Sequence, residues 1–148
     1  MSIDPKPILV VEDEPQHATL IRAALDTSHV VNPVVVASDG DEAIAYLSGD
    51  GEYVDRTRHP LPALVLLDLH LPRVSGLDVL GWMKTQPEVR RLPVIMLTAS
   101  QDDDDIRAAY DLGANSYLVK PVGFDALLDV VKGLSLYWLV LNRPPADG

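Results

Sequence analysis

Five short aliphatic runs divide the chain, and each is followed by a stretch whose apolar residues recur every three or four positions. "ILVV" (8–11) leads into a segment starting near Pro15, with Ala18, Ile21, Ala24 and Leu25 at helical spacing. "VVVA" (34–37) leads into "DGDEAIAYL", where Asp39 suits an N-cap and acids fill the first turn. "ALVLL" (63–67) precedes "GLDVLGWMK", and "VIMLT" (94–98) precedes "DDDDIRAAYDLG", whose Gly113 suits a helix stop. "SYLV" (116–119) precedes a last helix from about Phe124. Runs this apolar are buried on both faces. The pattern therefore predicts an α/β fold, a five-stranded parallel sheet doubly wound as (βα)5 with right-handed crossovers.

In such sheets ligands gather beyond the carboxyl ends of the strands. The residues there are Glu12, Asp13 and Glu14, then Asp68, then Thr98, Ala99 and Ser100, and finally Lys120 and Pro121. The second run ends more blandly, in Ser38 and Asp39. Asp68 is the most pointed of these, because an unpaired charge closing a buried strand is expensive.

Glu12, Asp13 and Asp68 place three carboxylates in one crevice. Two such charges about 4 Å apart repel by about 4 kcal/mol at an effective dielectric of about 20. Removing one charge, as in Asp68→Asn, should then stabilise the metal-free protein. Something cationic has to offset the repulsion: Lys120 is one candidate and a divalent ion the other. All-oxygen ligation with open positions suits Mg²⁺. Thr98 adds a hydroxyl donor, and its own backbone N–H or that of Ala99 adds another. A carboxylate beside Mg²⁺, an ammonium and a hydroxyl is equipped to accept a phosphoryl group. Asp68 would be the nucleophile and form an acyl phosphate, with the charge on the transferring oxygens neutralised by the metal and Lys120.

Composition narrows the class. The chain has 148 residues, enough for one domain with a real core, and 47% apolar with 23% charged residues is globular. A net charge of −10 argues against nucleic acid as a partner, and with no cysteine there is neither a disulfide nor a thiolate metal site. No apolar run approaches the roughly 18 residues of a membrane span, and "MSIDPKP" lacks a secretory core, so the cytoplasm is the expected compartment. Ser48 to Pro62 is a long polar loop of the kind that is usually functional or mobile.

"ILVVEDEP", "LVLLDLHLPRVSGLD", "VIMLTAS" and "SYLVKP", in this order and spacing, resemble a response regulator receiver domain over residues 6–132. The resemblance implies a flavodoxin-like strand order 2-1-3-4-5, with Asp68 as phosphoacceptor and Asp13 as a direct Mg²⁺ ligand beside it. It further implies that Glu12 acts on the metal through a water and that the main-chain carbonyl of His70 completes the protein ligands. Thr98, Ala99 and Lys120 would hold the phosphoryl group, Thr98 and Tyr117 would form a conformational switch, and the peptide between Lys120 and Pro121 would be cis. Glu12 departs from the more common aspartate. The long loop, with "LYWLVLNRPP" near the end, resembles the small single-domain regulators that serve bacterial and cyanobacterial phytochromes. The implied donor is a sensor histidine kinase, in that case a phytochrome.

Other residues have structural accounts. Asp102 to Asp105 suit a helix N-terminus. The histidines at 17, 29, 59 and 70 form no ligand spacing. Two other classes share parts of the pattern. A haloacid-dehalogenase-type phosphatase needs a second Asp two residues after the nucleophile, where this chain has His70. A flavodoxin-like carrier needs a glycine-rich phosphate loop where it has "EDEP".

The last helix carries two apolar stripes. Phe124, Leu127, Leu128, Val131, Leu134, Trp138 and Leu141 would face the sheet, and Val130, Tyr137 and Val140 lie on another side. Gly133 between them costs about 1 kcal/mol against alanine, which close backbone contact would offset. An exposed apolar band marks an interaction site, so a homodimer through Val130, Tyr137, Val140 and Leu141 is expected. With "RPPADG" at the end, the whole of 1–148 reads as one receiver domain, its core about 6–132 and an extension 133–148. Output would then pass by protein contact.

Overall fold

The computed structural model describes residues 6–27 and 31–135. Its strands are β1 (Ile8–Val11), β2 (Val34–Ala37), β3 (Leu64–Leu67), β4 (Val94–Thr98) and β5 (Ser116–Val119). They alternate with α1 (Pro15–Thr27), α2 (Gly40–Ser48), α3 (Gly76–Thr85), α4 (Asp103–Asp111) and α5 (Phe124–Ser135). All pairings are parallel, in the order β2-β1-β3-β4-β5. The expected sheet and strand order are both present.

The pleat sorts the aliphatic runs into two cores, since neighbouring strand residues point to opposite faces. Ile8, Val10, Leu64, Leu66, Ile95 and Leu97 pack against Ile21, Ala24 and Leu25 of α1 and Leu127, Val131 and Leu134 of α5. Leu9, Val11, Val65, Leu67, Val94 and Met96 pack against Val79, Leu80 and Met83 of α3, together with Ala43 and Leu47 of α2 and Ala109 of α4. Each fully buried aliphatic side chain contributes about 1.5–3 kcal/mol. The three central strands are buried on both faces, which explains why their sequences do not alternate.

Local chemistry sets the ends of the helices. Asp39 caps α2 by accepting from the Glu42 N–H at 2.7 Å, and Asp102 caps α4 by accepting from Asp104 at 2.9 Å. Ser75 and Asp78 form a reciprocal capping box on α3. Gly113 follows α4 with φ of 102°, as its sequence position suggested.

The 48–62 segment is a built loop. The Arg56 guanidinium donates to the carbonyls of Tyr46 at 2.7 Å, Leu47 at 2.8 Å and His59 at 3.1 Å, closing the end of α2. Tyr46 donates its hydroxyl to Pro60 O at 2.7 Å, and the rings of Tyr46, Tyr53 and His59 pack on one another.

Two expectations for α5 need correction. Phe124 is 44% exposed and does not join the sheet-facing stripe, because that stripe is filled by Leu127, Val131 and Leu134 packed against α1. No close contact compensates Gly133, since nothing lies within 4 Å of where its Cβ would stand among the described residues. Val130 is half-buried. Tyr137, Trp138, Val140 and Leu141 lie outside the described residues.

Candidate functional site

Parallel register brings the strand ends to one edge. Val11 pairs with Leu67, and Thr98 pairs with Val119, so Glu12, Asp68, Thr98 and Lys120 emerge side by side. Main-chain bonds hold them there: Asp68 N–H to Val11 O at 3.1 Å, Glu12 N–H to Ala37 O at 3.0 Å and Lys120 N–H to Thr98 O at 2.7 Å.

Oxygens of Glu12, Asp13 and Asp68 lie within 4.8 Å of one another. Glu12 and Asp68 are 2% and 7% exposed, whereas Asp13 faces solvent. The Lys120 ammonium bonds to Glu12 Oε1 and, at 2.8 Å, to Asp68 Oδ2. Of the two cations the sequence left open, lysine is thus engaged with both buried carboxylates. Asp13 brings the third carboxylate, while the second oxygens of the buried pair each accept one main-chain N–H, Glu12 Oε2 from Glu14 at 3.2 Å and Asp68 Oδ1 from His70 at 3.2 Å, which leaves each a lone pair for a metal.

The two acids respond differently. Burial pushes Glu12 up to about 7; Lys120 pulls it down, and the Asp68 charge adds to the rise. Burial also raises Asp68, but its hydrogen bond and charge contact with Lys120 outweigh this and hold it below its ordinary value. Burial lowers Lys120, and its bonds to Asp68 and Glu12 raise it on balance above the ordinary lysine range. Near neutral pH the corner therefore keeps an ionised Asp68 and a charged Lys120, while Glu12 takes up or releases a proton.

Thr98 is fully buried, and its Oγ1 makes no well-formed hydrogen bond, though it lies near enough to Asp68 to favour the carboxylate. A buried hydroxyl left without a partner costs roughly 1–3 kcal/mol and needs a reason. The His70 N–H donates to Asp68 Oδ1 at 3.2 Å, while its side chain is exposed. Ala99 is exposed beside the site. Tyr117 is partly buried on β5 and donates its hydroxyl to Ser100 O at 3.0 Å, two residues beyond Thr98.

The Lys120–Pro121 peptide is trans, contrary to the cis bond implied by resemblance. The trans form of an X–Pro bond is favoured by roughly 0.5–1 kcal/mol, and Lys120 reaches both carboxylates from it.

Sequence reasoning missed two features. One is His17, whose Nδ1 lies 3.1 Å from Lys120 Nζ. It stands three residues after Glu14, whose Oε2 lies 3.1 Å from the same nitrogen, a spacing that could have flagged it. The other is Arg73, at φ of 63° in a tight turn closed by Val74 N–H to Pro72 O at 2.7 Å. Its guanidinium clamps Asp39 at 2.9 Å and Asp41 at 3.2 Å, tying the start of α2 to the segment after Asp68. Gly76 completes the support. A Cβ there would stand 2.1 Å from Asp68 O, so only glycine lets α3 start against the Asp68 backbone.

The family model described as "Response regulator receiver domain" matches residues 8–132. Response regulator Rcp1 of Synechocystis sp. (strain ATCC 27184 / PCC 6803 / Kazusa) is 39% identical over 142 residues, covering 96% of this chain and 95% of that protein. The crystal structure of the phosphorylated cyanobacterial phytochrome response regulator RcpA superposes with a TM-score of 0.90 at 40% identity, covering 96% of this chain and 99% of that one. The Mn²⁺-bound form of Rcp1 superposes with a TM-score of 0.87 at 39% identity, over 96% of this chain and 100% of that one.

Proposed function

The chain belongs to the response regulator receiver domain family of two-component systems, and on that premise we propose that Asp68 is its phosphoacceptor. The observation that carries this reading is a buried Asp68 bound to Lys120 beside a buried Thr98 hydroxyl that reaches toward Asp68 but makes no well-formed hydrogen bond among the described residues. A phosphoryl group on Asp68 would supply what Thr98 lacks. The donor set fits a hard dication, being all oxygen and clustered within 4.8 Å.

Asp13 and Asp68, the His70 carbonyl and, through water, Glu12 would hold Mg²⁺, which when bound neutralises charge on the transferring oxygens. The remaining work belongs to the chain. An Asp68 carboxylate oxygen bonds to phosphorus as the phosphorus–nitrogen bond of a kinase phosphohistidine breaks. Lys120 and Thr98 then bond phosphoryl oxygens, as does the N–H of Ala99. Movement of Thr98 toward the phosphoryl group opens space for the Tyr117 ring, and that change is read by another protein.

The donor we propose is a sensor histidine kinase of the phytochrome class, supported by the likeness to the cyanobacterial phytochrome response regulator RcpA. The role is regulatory and cytoplasmic; among the described residues no helix is long and apolar enough to cross a membrane. The 6–132 core carries the phosphoryl chemistry, and a homodimer through α5 and the 133–148 extension carries the output. Residues 1–148 act together as one receiver domain.

Intact mass after incubation with acetyl phosphate tests the reading. One phosphoryl group should appear on the native protein with Mg²⁺, but not with chelator and not on Asp68→Asn. Equal labelling of Asp68→Asn would overturn it.

A further inference from the structure

The Lys120 ammonium carries three N–H donors and no acceptor. Glu12 Oε1 takes one and Asp68 Oδ2 takes another at 2.8 Å. The third points to His17 Nδ1 at 3.1 Å. That nitrogen also lies 3.1 Å from Glu14 Oε2. One ring nitrogen cannot accept from the lysine and donate to the glutamate at once.

Exposure decides between them. The Glu14 side chain is 61% exposed, so water serves its carboxylate whether or not His17 does. The Lys120 side chain is only 7% exposed, and an unmet ammonium proton there is far more expensive. On that ground His17 Nδ1 is matched to Lys120 as its acceptor.

We infer that His17 is a positioning residue for phosphoryl transfer to Asp68: with Glu12 it ties down two of the three N–H bonds of Lys120 and aims the third at the acceptor. The inference rests on Asp68 being the phosphoacceptor. On phosphorylation the third N–H passes from the carboxylate to a phosphoryl oxygen, and the other two keep the ammonium in place. Without His17 the ammonium is held by two carboxylates alone and can rotate away from the acceptor.

Beryllium trifluoride, an acyl-phosphate mimic, tests this when titrated with saturating Mg²⁺ against the native protein, His17→Leu, His17→Asn and Glu14→Ala. His17→Leu should bind it about tenfold more weakly, the worth of about 1.4 kcal/mol. Its affinity for Mg²⁺ without beryllium trifluoride should stay native-like, because His17 acts through Lys120. The Asn side-chain oxygen can stand where Nδ1 stands, so His17→Asn should recover most of the loss. Glu14→Ala should bind like the native protein. Native affinity in His17→Leu, no recovery in His17→Asn, or a loss in Glu14→Ala equal to that of His17→Leu would each overturn the inference. If the native protein itself takes up no beryllium trifluoride, the Asp68 reading falls and this one with it.

Discussion

Replacing Lys120 with methionine keeps the apolar stem and removes the cation that joins Glu12 to Asp68. Their side chains are 1% and 9% exposed, so water cannot take over from the ammonium. Breaking a buried ion pair by deleting one partner costs about 3–5 kcal/mol. That cost depends on pH because Glu12 can be discharged. In the native protein Glu12 sits at about 7 against an ordinary 4.5. A carboxyl raised in this way contributes stability that is fully present below about 4.5 and lost as pH climbs through about 7, roughly 3 kcal/mol in all. Asp68 works in the opposite sense. Its lowered value gives stability above the ordinary aspartate range, lost as pH falls through the lowered value. In Lys120→Met both acids lose what pulled them down, so protons relieve the defect. Urea unfolding followed by circular dichroism, without metal, should show a loss of about 3–5 kcal/mol at pH 8 that shrinks to about 1–2 kcal/mol at pH 5. An equal loss at both pH values, or less than about 1 kcal/mol at pH 8, would show that the lysine does not hold these charges together.

Four further outcomes follow from the same geometry. Asp68→Asn should lower the urea midpoint at pH 7 without metal, because the fold favours the Asp68 anion on Lys120; a rise would restore the simpler picture of crowded, repelling acids. Thr98→Val removes a buried hydroxyl that makes no well-formed hydrogen bond among the described residues and should raise stability by about 1 kcal/mol in thermal unfolding while reducing phosphoryl uptake in the mass assay. Gly76→Ala drives a Cβ into the Asp68 carbonyl and should cost about 3 kcal/mol, at the upper end of overpacking, with slower phosphorylation. Arg56→Ala removes two hydrogen bonds from the end of α2 and one from the loop at His59, and should expose the 49–62 loop to limited proteolysis, with a loss of about 1.5–3 kcal/mol in urea.

The alternation of aliphatic runs with helical spacing was enough to place every strand within a residue; the three central strands, buried on both faces, have no polar positions to blur their limits, and the two edge strands are set off by the polar or proline residues around them. The acids after β1, Asp68 after β3, Thr98 and Lys120 were legible for the same reason, since parallel strands must end at one edge. Spacing along the chain could not show how charge is shared among them. Only the folded corner puts Lys120 between Glu12 and Asp68, so that burial raises one acid while the lysine lowers the other. Spacing could not show what His17 and Arg73 hold, because their partners, at positions 120, 39 and 41, lie on separate elements and meet only when the sheet and helices close. The sequence determines which groups reach the edge; tertiary packing decides which of them touch, because a hydrogen bond or ion pair forms only where the atoms come within about 3 Å.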